Sequence, residues 1–163
     1  MALTLYAHPF SSYCQKVLIA LYENGTPFTY GMLEPGHPAA AEFAELWPLK
    51  RMPLLRDGDR TVMEATIMVE YLDLAYPGRT RFLPEDRMAA LAVRQMDRIF
   101  DNYVMTPMQR IVADFIRPPD TRDPPTVTQA NALLDAAYAW LDRELGGREW
   151  AAPAGFSLAD CAA

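Results

Sequence analysis

The sequence predicts an α/β region with a mixed sheet, followed by a region built only from helices. Short β-tolerant runs alternate with helical patterns up to residue 75, in the order βαβαββα. The dipeptide Asp57-Gly58 stands between two extended runs and favours a tight hairpin. Beyond residue 86 the apolar residues follow helical spacing only. These observations indicate one crossover parallel pair of strands and one terminal hairpin, with helices on the faces of the sheet.

The first half of the chain supplies each of these elements in turn. Residues 3–7 are a strand candidate, and residues 12–23 form a helical pattern that Asn24-Gly25 ends. A second strand is predicted within residues 27–33 and a short helix within residues 39–48. The two strands of the hairpin come next. Residues 64–75 then return to helical spacing, and Pro77-Gly78 closes this helix.

The second half is predicted to be helical throughout. A long helical pattern covers residues 85–116, and Pro107 within it should kink or interrupt the helix. Residues 118–125 contain four prolines and form a loop, after which residues 126–145 carry another helix. The predicted domains are therefore residues 1–77 and 87–163, joined by a linker at residues 78–86.

The composition restricts the class of protein. The chain has 163 residues, of which 51% are hydrophobic and 22% charged, as in an ordinary globular protein. A net charge of −6 without a basic cluster argues against a nucleic-acid partner. No apolar run approaches the roughly 18 residues of a membrane-spanning helix. Two cysteines without a disulfide framework, and a start without a signal-peptide pattern, indicate a cytoplasmic protein.

The segment HPFSSYCQKV carries the first candidate for chemistry. Ser11 and Ser12 lie where a strand gives way to a helix, and serine is a favoured helix cap. The same position suits an anion, because the first backbone N–H groups of a helix are unpaired and its dipole is positive there. Capping and anion stabilisation both remain open for these serines. Cys14, one turn into the helix, is interpreted as a small buried residue.

Four segments in this order resemble the cytosolic glutathione S-transferases. They are LYAHPFSSYCQKVLIAL, KRMPLLRDGD, MEATIMVEYLD and GFSLADCAA, and the resemblance covers the whole chain. It implies a thioredoxin-like amino-terminal domain that binds glutathione, followed by an all-α domain that helps to form the site of a second substrate. It also implies a homodimer that needs no metal, with glutathione as its co-substrate.

The resemblance also implies roles for individual residues. Ser11, or Ser12 in its place, would stabilise the glutathione thiolate, since serine stands where thioredoxin-like proteins carry the nucleophilic cysteine of a C-x-x-C pair. Met52 would present its main chain to the cysteinyl part of glutathione, next to a cis Pro53. Arg51 would lie near the glycine carboxylate. An ordinary trans proline and an exposed arginine without a specific partner are the alternatives.

The start of the helix at residue 64 would receive the γ-glutamyl end of glutathione. Glu64 would pair with the ammonium group, while helix-start N–H groups and a hydroxyl would bind the carboxylate. The family usually has serine or threonine directly after the acid, and this chain has Ala65, so Thr66 is expected to supply the hydroxyl. The alternative for Glu64 is an acid in a first helical turn that only stabilises the helix.

The segment GFSLAD has the pattern of a capping box, which would start a central helix of the second domain. The sequence stops at Ala163, about two turns later. We therefore expect an incomplete helical domain, either in a fragment or in a shortened natural protein. Apolar surface is expected on helices around four residues: Phe100, Tyr103, Leu134 and Trp140.

The resemblance thus implies a glutathione transferase-like enzyme that activates the glutathione thiol as a thiolate for attack on a small electrophile. Three alternatives use the same fold. One is a glutathione-dependent isomerase or dehalogenase, one is a glutathione-using reductase, and one is a non-catalytic binding or regulatory protein.

Overall fold

The computed structural model describes residues 3–153 and 155–163. The first half contains β1 (Leu3–Ala7), α1 (Ser12–Glu23), β2 (Thr29–Met32), α2 (Pro38–Leu46), β3 (Leu54–Asp57), β4 (Arg60–Val62) and α3 (Ala65–Ala75). This order confirms the predicted βαβαββα arrangement.

The four strands form one mixed sheet in the order β2-β1-β3-β4. β1 runs parallel to β2 and antiparallel to β3, and β4 closes the sheet as the antiparallel partner of β3. Leu5 at the centre of β1 pairs with Tyr30 on one side and Leu55 on the other. The sheet therefore has the one parallel pair and the one hairpin that the sequence predicts, and its fold is thioredoxin-like.

The two faces of the sheet are covered by different helices. Leu5 belongs to the main hydrophobic core together with Val17 of α1 and Met68 of α3. Tyr6, the next residue along β1, points to the other face and packs with Phe43 of α2. This alternation follows from the two-residue period of a strand. It places α1 and α3 side by side on one face of the sheet.

The second half is helical, as predicted. It contains α4 (Arg87–Ile99), a π-helical segment (Phe100–Met105), α5 (Thr106–Phe115), a short 3₁₀ turn (Pro119–Thr121), α6 (Pro124–Leu145) and α7 (Leu158–Ala162). The interruption expected at Pro107 is present as the π-helical segment directly before it. The N–H of Thr106 donates to the carbonyl of Asp101, five residues earlier, which is the π-helical pattern. Pro107 has no N–H to continue a regular ladder.

Helix α7 connects the helices to the sheet region. Ser157 and Asp160 form the predicted capping box, and the Asp160 carboxylate accepts a hydrogen bond from the Ser157 N–H at 2.9 Å. Leu158 is fully buried, and its N–H donates to the carbonyl of Phe82 at 2.9 Å. Both residues belong to the main core, so one hydrophobic cluster includes residues from both halves of the chain.

Of the four residues around which exposed apolar surface was expected, two are buried and two are exposed. Phe100 and Leu134 are buried, because Phe100 joins the main core and Leu134 lies on the covered face of α6. Tyr103 and Trp140 are exposed, as expected. The domain limits at residues 77 and 87 stay predictions. Among the described residues, no helix has the length and the apolar character needed to cross a lipid bilayer.

Candidate active site

The starts of α1 and α3 open onto one cleft with a volume of about 650 Å³. All the residues that the sequence singled out as site residues line this cleft: Ser11, Ser12, Arg51, Met52, Pro53, Glu64 and Thr66. They come from three separate stretches of the chain. The structure therefore brings together residues that the sequence places up to 55 positions apart.

Ser11 is the N-cap of α1, and Ser12 is the first residue of that helix. The Ser11 Oγ accepts a hydrogen bond from the N–H of Cys14 at 3.4 Å, so the capping interpretation is confirmed. A hydroxyl that accepts one hydrogen bond still has its own hydrogen to donate. Capping by Ser11 is therefore compatible with donation to an anion in the cleft.

Cys14 is completely buried in the main core. Burial raises the pKa of its thiol, so the neutral form is favoured and the sulfur is a poor nucleophile. The position agrees with the interpretation of Cys14 as a packing residue.

The loop before β3 forms a second side of the cleft. The Met52–Pro53 peptide bond is cis, as predicted, and Met52 is partly exposed in the cleft. Arg51 lies beside it and is exposed. Lys50 also lines the cleft, in a left-handed conformation with φ of 50°. Lys50 was not a predicted site residue, because a lysine in a loop carries no sequence signal of its own.

The start of α3 forms the third side. Glu64 is the N-cap residue with φ of 68°, it is exposed, and it lines the cleft. Thr66 accepts a hydrogen bond from Lys16 Nζ at 2.9 Å and donates one to Asp97 Oδ2 at 2.9 Å. These contacts leave its hydroxyl without a free hydrogen for a ligand. The backbone N–H groups of the first turn are therefore the donors that α3 offers to the cleft.

The end of α4, the π-helical segment and α5 form a fourth side, a wall of the cleft. Its polar residues are Arg98, Asp101, Asn102 and Gln109, and its apolar residues are Met108, Val112, Ala113 and Ile116. None of these was a predicted site residue. Helical spacing alone cannot assign them to one face, because the π-helical segment changes the rotation between α4 and α5.

Tyr13 joins this wall to the start of α1. Its hydroxyl donates to the Asp101 carbonyl at 3.3 Å. Burial raises the pKa of Tyr13, so the phenol remains a hydrogen-bond donor at neutral pH. No three His, Cys, Asp or Glu side chains within residues 3–153 and 155–163 are grouped so that they could hold a metal ion.

Residues 5–80 match the family model described as "Glutathione S-transferase, N-terminal domain". The matched residues contain the whole sheet beyond its first two positions, together with three of the four sides of the cleft. Residues 5–80 therefore belong to the family of glutathione S-transferase amino-terminal domains. This conclusion agrees with the thioredoxin-like sheet and the helices that follow it.

Two curated relatives show how far the similarity extends along the chain. Glutathione S-transferase theta-3 of Mus musculus is 33% identical over 88 residues, which are 53% of this chain and 36% of that relative. A stringent starvation protein A homologue of Pasteurella multocida is 26% identical over 163 aligned positions, covering 88% of this chain and 76% of that protein. The similarity to the first relative therefore spans little more than a third of its length.

A solved structure covers almost the whole chain. A glutathione S-transferase from Methylobacillus flagellatus, solved with GSH bound, has a TM-score of 0.85 and 26% sequence identity. The match covers 99% of this chain and 79% of that protein. The similarity thus includes the helical half as well as the sheet.

Proposed function

We propose that this protein binds glutathione in the cleft and activates its thiol as a thiolate for attack on a small electrophile. The thiolate is the reactive form of a thiol. Because the unperturbed pKa of a cysteine thiol is about 8.5, most of the thiol is protonated at neutral pH. The start of α1 offers unpaired N–H groups, a positive dipole end and the hydroxyls of Ser11 and Ser12. Each of these groups would stabilise a negatively charged sulfur that is bound at the start of α1.

The charges along the cleft suit the two ends of glutathione. Lys50 and Arg51 are exposed cations on the side formed by the loop, where they would bind the glycine carboxylate. Glu64 at the start of α3 would bind the ammonium of the γ-glutamyl end, and the first-turn N–H groups would bind its carboxylate. The main chain of Met52, which also lines the cleft, would hold the cysteinyl part.

The second substrate would bind against the wall formed by α5. Met108, Val112 and Ile116 supply apolar surface there, beside the amides of Asn102 and Gln109. An uncharged, largely apolar electrophile fits such a wall better than an ion does. In the proposed mechanism, no residue of this wall supplies a proton or acts as a nucleophile.

The convergence of the seven predicted residues on one cleft carries this proposal. Calorimetry with glutathione, followed by thiol consumption with chlorodinitrobenzene, tests it. We expect glutathione to bind and the conjugate to form. A protein that does not bind glutathione would contradict the proposal. Formation of a rearranged product or of oxidised glutathione from other substrates would instead favour the isomerase or the reductase.

A non-catalytic regulatory protein is the second candidate. The similarity to a stringent starvation protein A homologue, which covers 88% of this chain, favours it. Such a protein could retain the cleft without using it for conjugation. Binding of glutathione without turnover of any model electrophile, and without the ultraviolet absorbance of a bound thiolate, would support this candidate over the transferase.

We also propose that the protein forms a homodimer through α3 and α4. Four large apolar side chains are exposed on these two helices: Ile67, Leu74, Met88 and Leu91. Exposed apolar patches of this kind mark protein contacts. Analytical ultracentrifugation tests the proposal, and a charged side chain at Leu74 should shift a dimer towards monomer. A cytoplasmic location stays a prediction from the sequence.

A further inference from the structure

A buried lysine connects four elements behind the cleft. Lys16 lies one turn into α1, and its side chain is only 2% exposed. Its ammonium forms an ion pair with Asp97 of α4 and donates to Asp101 Oδ2 at 3.0 Å, in the π-helical segment. It also donates to Thr66 Oγ1 of α3 at 2.9 Å. An ammonium taken out of water is costly unless charged and polar groups surround it.

Two of the three partners of Lys16 line the cleft, whereas Lys16 and Asp97 are not among the described residues that line it. Thr66 and Asp101 both line the cleft. From outside the cleft, Lys16 therefore bonds to residues on two sides of the cleft. Its bond to Thr66 joins α1, which carries the proposed sulfur site, directly to the start of α3, which carries the proposed glutamyl site.

Packing alone does not explain a lysine at this position. Its neighbours Val17 and Ala20 on α1 are buried in the apolar core. Apolar side chains at positions 16 and 97 would fill the same space without removing two charges from water, and such replacements are often neutral or stabilising. The charged cluster adds directional bonds, and among them the bond from Lys16 to Thr66 joins α1 to the first turn of α3.

Arg98 completes the cluster on the cleft side. Its guanidinium is 48% exposed and contacts Asp97, at 2.8 Å, and Asp101. Two cations thus balance two carboxylates. Without Lys16, both aspartates would share the one guanidinium of Arg98, and Thr66 would lose a donor.

We propose that Lys16 is a positioning residue, which aligns the start of α3 with the start of α1 so that a ligand held at α3 presents its sulfur to Ser11 and Ser12. This inference rests on the proposed function. A small displacement of an anchored reactant can lower a rate by up to about 100-fold. Loss of Lys16 should therefore affect the bound sulfur more than it affects binding.

The test uses the double variant Lys16→Met, Asp97→Asn, which keeps the charge balance because Arg98 and Asp101 remain paired. We expect glutathione to bind within about threefold of the parent affinity by calorimetry. At saturating glutathione, the thiolate ultraviolet absorbance and kcat with chlorodinitrobenzene should both fall, kcat by about tenfold. Thr66→Val removes the same link from the other side and should give the same loss, which keeps the test decisive if the double variant does not fold.

The matched control is Glu70→Gln, Arg94→Met. This pair also joins α3 to α4, through two hydrogen bonds of 2.9 Å, but neither residue lines the cleft. Its loss should leave the thiolate signal unchanged. The inference is overturned if the Lys16 variant keeps the thiolate signal and kcat while only its melting temperature falls. A parent protein without any thiolate signal would overturn the proposed transferase function as well, so the two failures are distinguishable.

Discussion

The hydroxyl of Tyr13 donates to the backbone carbonyl of Asp101 across 3.3 Å, and this bond joins the start of α1 to the π-helical segment. The same carbonyl also accepts hydrogen bonds from the N–H and the hydroxyl of Thr106, the latter at 2.8 Å. The π-helical turn and the wall of the cleft therefore share one acceptor.

Tyr13→Phe removes the phenol hydroxyl and keeps the ring. Because the Asp101 carbonyl retains its bonds to Thr106, no buried acceptor is left unpaired, and the free energy of unfolding should fall by only about 0.5–1.5 kcal/mol. Urea denaturation measures this difference. Tyr138→Phe, at a half-exposed position on α6, is the matched control and should change nothing. A loss above about 3 kcal/mol would contradict this interpretation of the bond.

Ser11→Gly should separate capping from chemistry. Glycine replaces serine at an N-cap at a cost of only a few tenths of a kcal/mol, whereas alanine costs about 1 kcal/mol. Both variants lose the hydroxyl, which donates to a charged sulfur in the proposed mechanism. The thiolate-dependent rate should therefore fall by roughly one to two decades in both, from a bond of about 1.5–3 kcal/mol.

Ser12→Ala and Cys14→Ala are the comparisons for this prediction. If Ser12→Ala loses the rate and the Ser11 variants keep it, the role belongs to Ser12. Cys14→Ala should disturb the core and leave the rate within a few-fold, because Cys14 is fully buried. A rate that depends on Cys14 and on neither serine would exclude the proposed mechanism.

Stability should fall in alkaline solution partly because of Cys161. Burial raises the pKa of this thiol to about 12, whereas in the unfolded chain it is about 8.5. Below pH about 8.5 both states hold the proton and the free energy of unfolding is unaffected. Above that pH only the unfolded state releases it, so the free energy of unfolding falls by up to about 1.4 kcal/mol per pH unit.

Cys161→Ala tests this assignment. The variant should show a shallower decrease in the free energy of unfolding between pH 8.5 and 10, measured by urea denaturation at several pH values. The slope is compared rather than the absolute stability, since the substitution also changes core packing. Equal slopes for both proteins would show that Cys161 does not contribute.

Asp160→Ala should be the most destabilising of these substitutions. The Asp160 carboxylate accepts hydrogen bonds from the N–H groups of Ala151 at 2.8 Å and Ser157 at 2.9 Å. Both donors would be left unpaired, at a cost of roughly 3 kcal/mol. Asp86→Ala removes an exposed N-cap of α4 instead and should cost about 1 kcal/mol. Similar losses of unfolding free energy for the two variants would contradict the conclusion that the α7 cap stabilises the protein more than the exposed α4 cap does.

The sequence predicted the parts of this protein that depend on neighbouring residues. The Asp57-Gly58 hairpin and the capping box at Ser157 are short patterns whose geometry is fixed locally, and both are present. The interruption at Pro107 also follows from one residue, because proline cannot continue the helical hydrogen bonds. The seven predicted site residues lie along one cleft, and their roles stay predictions.

The parts that were missed depend on distant contacts. Lys16 looks like a surface residue, since a lysine is almost never fully buried without a partner, and its carboxylate partners lie 81 and 85 positions away. Phe100 and Leu134 were assigned to exposed surface because the sequence does not show how closely the helices pack. Arg98 and Asp101 were not predicted, because a charged pair three residues apart is common on exposed helix faces and does not show that Asp101 contacts Lys16.

The π-helical segment also makes the pocket sensitive to the length of the chain. Each residue turns a helix by about 100°, so an inserted or deleted residue at positions 100–105 would rotate all of α5 relative to α4. Lys16, Thr66 and Asp97 precede that segment and would stay in place, but Met108 and Val112 would no longer face the cleft. A one-residue insertion or deletion there would therefore turn a different face of α5 towards the second substrate, although the sequence of α5 would be unchanged. Natural relatives that differ in length at this point should differ in substrate preference even where their cleft residues are the same.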